Sequence, residues 1–92
     1  MLDSSSYLKN EKNGVRYLGY FLPLGRSELS LLRALILCDG PLSTDELSKV
    51  SGVSRSNIFS TVKRINEKSG AIGGRLLILS GRSTGYYLNP NL

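Results

Sequence analysis

The 92-residue chain contains no histidine, and so lacks the commonest general base and metal ligand. It has one cysteine, Cys38, so no disulfide can form within it. That thiol ends the apolar run Ala34 to Cys38 and is expected to be buried and inert, in a reducing compartment. No stretch approaches the roughly 18 continuous apolar residues of a membrane span. The opening Met1 to Ser6 is polar rather than a basic-then-apolar export signal, so a cytoplasmic location with no membrane partner is expected. No Gly-rich phosphate loop, internal repeat or long linker is present. Asp45-Glu46 looks like a paired-carboxylate site, but both acids belong to the first turn of a helix, where they offset the macrodipole. Neither an enzyme, nor a cofactor, nor a metal site is expected.

Acid is scarce in one half. Residues 50–92 hold six bases (Arg55, Lys63, Arg64, Lys68, Arg75, Arg82) and one acid, Glu67, whereas residues 1–49 hold six of each. The net charge of +5 therefore sits on the C-terminal half, the electrostatic footprint of a polyanion binder. Otherwise 40% hydrophobic and 21% charged residues are the proportions of an ordinary globular fold. The length suits one domain over residues 1–92.

Within it, residues 1–24 are expected to carry N-terminal strands, 25–69 three helices and 70–92 a hairpin. Tyr7–Lys9, Val15–Tyr17 and Tyr20–Leu22 are short β-prone pieces separated by Asn- and Gly-containing turns. Strands this short need the helices to cover one face. Leu29, Leu32, Leu35 and Ile36 recur at helical spacing from about Arg26 to Cys38, with Gly25 or Ser27 as cap and Gly40-Pro41 as stop. Ser43 and Glu46 form an S-x-x-E capping box, and Leu42 and Leu47 a hydrophobic staple. Leu47 and Val50 should face inward, and Gly52 suits the left-handed position after the helix.

Ser54 is expected to cap a third helix ending at Ser69-Gly70. At about 100° per residue, Ile58, Val62 and Ile65 share one stripe, while Ser56, Ser60, Lys63, Arg64 and Glu67 occupy the other side. Arg75–Leu79 and Gly85–Leu88 then read as two strands around a basic tip. Tyr86 and Tyr87 alternate, so one should pack under the hairpin and the other face out. The expected class is α+β: a small N-terminal antiparallel sheet, a three-helix core and a C-terminal β-hairpin wing, the order of a winged helix-turn-helix.

Helix, tight turn and helix with a basic outer face point to double-stranded DNA. Arg64, projecting from mid-helix, suits a bidentate contact to guanine, and Asn57 one to adenine. Ser56, Ser60 and Thr61 are short enough to let the helix approach and to take base or phosphate contacts. Lys63 and Lys68 suit phosphates. Ser54 and Arg55 at the helix start, with Arg82 and Thr84 in the wing, complete the contact set, Arg82 fitting the narrow minor groove. Glu67 would repel phosphate and is expected near the groove rim, or paired with Lys63 or Lys68. Phe59 flanks the apolar stripe; an edge-of-core role is favoured over contact with a thymine methyl group.

From Leu24 to Leu88 the chain resembles the output domain of OmpR/PhoB-type response regulators. The likeness rests on L-x-x-x-E-x-x-L-L (Leu24, Glu28, Leu31, Leu32), Leu42-Ser43-Thr44-Asp45-Glu46-Leu47, V-x-R-I (Val62, Arg64, Ile65) and R-S-T-G-Y (Arg82 to Tyr86). It implies transcriptional regulation, with Arg64 on a base-reading position and Ser56, Thr61 and Lys63 at positions touching phosphate or base edges. It places Arg82 in the minor groove. The family often has basic or His side chains where this chain has Ser56, Thr61 and Asn66, which implies a shallower salt dependence. The family's loop to RNA polymerase is shortened here to Ser51–Val53, and its receiver domain lies outside this sequence, implying an excised output domain or a stand-alone regulator. A homodimer on DNA would give a module this small useful affinity. The alternative use of the same basic face is docking to an acidic protein partner.

Overall fold

A computed structural model describes residues 8–11, 14–17, 20–38, 40–73, 76–81 and 83–90. Strands β1 (Leu8–Glu11), β2 (Gly14–Tyr17) and β3 (Tyr20–Pro23) pair antiparallel in sequence order, with Val15 opposite Leu22. Those two side chains are buried and cover the helices.

Helix α1 (Arg26–Cys38) has the bounds its leucine spacing predicts. Its cap is Gly25: the carbonyl accepts the Leu29 N–H at 2.9 Å, and the Gly25 N–H donates to Glu28 Oε1 at 3.0 Å. Cys38 is exposed, correcting the expectation of a buried thiol. The last buried position of the helix is Leu35, and the final turn, Leu37 and Cys38, lies beyond it.

Helix α2 (Thr44–Ser51) opens on the expected reciprocal cap: Ser43 N–H donates to Glu46 Oε1 at 2.9 Å and Glu46 N–H to Ser43 Oγ at 3.2 Å. It closes on Gly52 at φ 77°, whose N–H bonds the Ser48 carbonyl at 2.9 Å. Serine hydroxyls tie the turn that follows: Ser48 Oγ donates to the Val53 carbonyl at 2.7 Å, and Ser51 Oγ accepts the Val53 N–H at 3.1 Å. So short a helix buries Leu47 alone, and Val50 is exposed, not inward.

After Ser54 the chain makes a 3-10 turn, Arg55–Asn57, before α3 (Ile58–Gly73). The Ser54 side chain makes no capping bond; its hydroxyl lies 3.3 Å from that of Ser56. The helix also continues through Ser69-Gly70, since Ser69 is buried and Gly70 keeps a helical backbone at a cost of about 1 kcal/mol relative to alanine.

Strands β4 (Ile78–Gly81) and β5 (Gly85–Leu88) form an antiparallel hairpin; Leu76 and Leu77 precede the first strand instead of belonging to it, and Arg75 lies outside the described residues. Two bonds set that start. Asn66 Nδ2 donates to the Ile78 carbonyl and Oδ1 accepts the Ile78 N–H, both at 2.9 Å, so α3 holds the strand's first residue. The outer edge of β5 pairs with Leu42, whose N–H and carbonyl bond Tyr86 at 2.9 and 2.8 Å. Tyr86 packs against the core and Tyr87 is also half-buried, so neither ring faces wholly outward.

Leu31, Leu32, Leu35, Leu47, Ile58, Ile65, Leu77 and Ile78 fill the space between the three helices and the hairpin. Burying each stabilises the fold by about 1.5–3 kcal/mol relative to exposure. The result is an α+β arrangement of three helices and two small antiparallel sheets, compatible with a winged helix. No helix among the described residues is long and apolar enough to cross a membrane.

Candidate nucleic-acid interface

Helix α3 buries Ile58, Thr61, Val62, Ile65 and Ser69, and exposes Phe59, Ser60, Lys63, Arg64 and Glu67. At about 100° per residue, Ser60, Lys63 and Glu67 lie within about 60° of one another at the centre of the open face. Arg64 lies on the flank toward α1, and Phe59 on the flank toward the hairpin.

The α1 flank is organised by one carboxylate. Glu28 Oε2 lies 3.4 Å from Arg64 Nε, and Oε1 lies 2.5 Å from Lys68 Nζ. The Glu28 side chain is only 9% exposed, against 56% for Arg64 and 40% for Lys68. Burial alone would raise the Glu28 carboxyl. The hydrogen bonds from Lys68 and the Gly25 N–H, with the charges of Lys68 and Arg64, outweigh it and hold the group below its ordinary value of 4.5. Arg64 Nη2 also reaches Thr61 Oγ1, at a long 3.4 Å.

This geometry changes the assignment of several residues. Thr61 is 0% exposed and can touch neither base nor phosphate with its side chain. It sits about 60° from Ile58 on the side α1 covers. Lys68 donates to Glu28 Oε1 instead of pairing with Glu67, and its side chain keeps 40% of its surface exposed. Arg64 keeps an exposed guanidinium edge, but its Nε is turned to Glu28, so it is a tethered flank residue instead of a free fork at the centre of the face. Arg55 pairs with Asp45, Nε to Oδ1 3.0 Å, across an open surface. Of these four bases, Lys63 alone has no carboxylate partner among the described residues.

Ser54, Ser56, Asn57 and Ser60 are exposed around the start of α3, and Ser60 Oγ donates to the Asn57 carbonyl at 3.2 Å. Thr84 is exposed near the hairpin tip, and Arg82 lies outside the described residues, as does Arg75. Phe59 is 70% exposed, which overturns its edge-of-core role. It stands on the lip of a cleft of about 540 Å³ between α3 and the hairpin, walled by Val62, Leu76, Ile78, Leu79 and Tyr86. Among the described residues no group of three His, Cys, Asp or Glu side chains is placed to hold a metal.

Two structural anchors escaped the sequence reading. Glu28 entered it only as a motif letter, and Asn66 only as a departure from basic residues. The spacing of Arg64 and Lys68, one turn apart, was the available sign of a shared anion on that flank.

No protein-family model matches the chain, and no curated protein matches it. Among solved structures, the chain is similar to one described as "A novel family of redox sensors in the streptococci evolved from two-component response regulators". The TM-score is 0.70 at 17% identity, over 96% of this chain and 38% of that one. The likeness is one of fold, and this chain spans well under half the length of that neighbour.

Proposed function

We propose that this chain is a winged helix-turn-helix of the OmpR/PhoB type that binds double-stranded DNA sequence-specifically in transcriptional regulation. Helix α3 enters the major groove, and the β4–β5 hairpin with Arg82 lies along the minor groove. The observation that carries this reading is the open face of α3: Ser60, Lys63 and Glu67, approached through the short side chains of Ser56 and Asn57, are left uncovered by every described element. Glu28 and Asn66 brace that helix from both flanks, as a rigid reading head requires. The excess of six bases over one acid in residues 50–92 supplies the attraction to phosphate.

Lys63 takes a phosphate, Ser56, Asn57 and Ser60 take base edges or phosphates, and Arg64 reaches the backbone from its tether. With three of the four described bases of residues 50–92 in ion pairs, few counterions are released on binding and the salt dependence is shallow. The role is binding, in the cytoplasm, as one domain, with pairing on DNA to raise affinity. The receiver and RNA polymerase contacts that the family implies belong to the same proposal. A titration of the chain with duplex DNA at modest salt tests it. Shifts confined to amides 54–68 and 83–85 support the mode, and unmoved amides there defeat it. The apolar cleft beside Phe59 favours a second reading, docking of a protein segment, in which a partner shifts Leu76 to Leu79 while DNA shifts nothing.

A further inference from the structure

Among the described residues nothing covers the Phe59 ring, although it stands on a polar helix face. Phe59 is 70% exposed on the second residue of α3, with Lys63 one turn further along and Ser56 and Ser60 beside it. Those neighbours are short or flexible, so the ring is the bulkiest group at this end of the face. Arg64, the side chain best shaped for reading guanine, is drawn aside by Glu28.

We propose that Phe59 is a specificity-determining residue that packs on the C5-methyl group of a thymine. This rests on the DNA-binding reading above. The edges of the bases in the major groove are donors and acceptors with a single apolar exception, the thymine methyl, so an aromatic ring entering that groove has one complementary target. Charge favours the groove over an acidic protein as the occupant. Phosphates line the whole path of the helix, within reach of Lys63 and of the exposed edges of Arg55 and Arg64, whereas an acidic protein patch seated at the ring would meet Lys63 alone. The ring also lies on the flank facing the hairpin, so the thymine falls on the side of the groove nearest the strand edge the hairpin follows.

The test begins with duplexes recovered by the full chain from a random pool. Each thymine in the recovered motif is replaced singly by deoxyuridine, which removes one methyl group and nothing else. One position is expected to weaken binding by wild type about fourfold, the worth of one buried methyl. F59A should bind the thymine and deoxyuridine duplexes equally, and F59L should recover part of the preference. Phe59 is exposed, so F59A should keep its fold, which circular dichroism checks. Specific binding in which no methyl matters, or in which F59A retains the full methyl effect, overturns the inference and leaves the DNA reading standing. F59A that leaves motif and affinity unchanged likewise overturns it and leaves the ring without a role on DNA. A pool that yields no motif at all defeats the DNA reading, and the inference with it.

Discussion

Glu28 and Lys68, 40 residues apart in the chain, meet in an ion pair of 2.5 Å that joins the first turn of α1 to the later turns of α3. Arg64 closes on the same carboxylate. Glu28→Gln keeps one acceptor oxygen for the Gly25 N–H, removes the charge, and turns an amide NH2 toward Arg64 Nε in place of Oε2. Both cations are more than one-third exposed, so hydration recovers most of what they lose, and the expected destabilisation is about 1 kcal/mol, read from urea unfolding at neutral pH.

The same variant carries a pH signature. The folded Glu28 carboxyl titrates below its ordinary 4.5. Its contribution to stability is therefore complete above that value and is lost as pH falls toward the folded one. Wild type and E28Q should differ at neutral pH and converge in acid. The Glu46 carboxyl is lowered too, chiefly by the Ser43 N–H. It contributes to the acid limb of both proteins, so it drops out of the difference between them. Curves that stay parallel down to pH 3 would remove Glu28 from this role.

Asn66→Ala should detach the hairpin locally before it unfolds the whole chain. Ile78 is buried, and the substitution leaves both its N–H and its carbonyl without the Asn66 partner. A loss of about 2 kcal/mol is expected from unsatisfied backbone groups. Hydrogen exchange at the Ile78 amide should accelerate more than at Leu31 or Ile65.

The contrast between Glu28 and Ser43 marks where the sequence could be read and where it could not. The Ser43–Glu46 cap spans three residues, and the leucine spacing of α1 is equally local, so both were legible as written. The partner of Lys68 lies 40 residues away, and no spacing rule within α3 identifies it. Helical periodicity placed Ile58, Val62 and Ile65 inside but left open which flank would be covered. The approach of α1 settled that against Thr61, and the cleft beside the hairpin left Phe59 in solvent. The start of the hairpin was misplaced for a related reason, because a side chain on α3 determines it.

Gly85→Ala tests the junction between the hairpin and α2. Gly85 adopts φ 91°, and a Cβ there would lie 2.4 Å from the Leu42 carbonyl oxygen, the acceptor for Tyr86 N–H. The backbone strain and the displaced Leu42–Tyr86 pairing together should cost about 2–3 kcal/mol. A midpoint within error of wild type would mean that the close approach relaxes without cost.

Lys63 and Glu67 stand one turn apart at the centre of the open face and should act oppositely on DNA. Lys63→Ala removes a phosphate contact, so affinity should fall about tenfold at low salt for every duplex alike, and the slope of log affinity against log salt should shrink by about one. Glu67→Gln removes a charge that repels phosphate, so binding to unrelated duplexes should strengthen while discrimination narrows. Both residues are exposed, and neither change should move stability by more than about 0.5 kcal/mol, which separates an effect on the interface from one on the fold. Fluorescence anisotropy across a salt series reads both. If the two substitutions shift affinity in the same direction, the face they share is not the one that meets the phosphates.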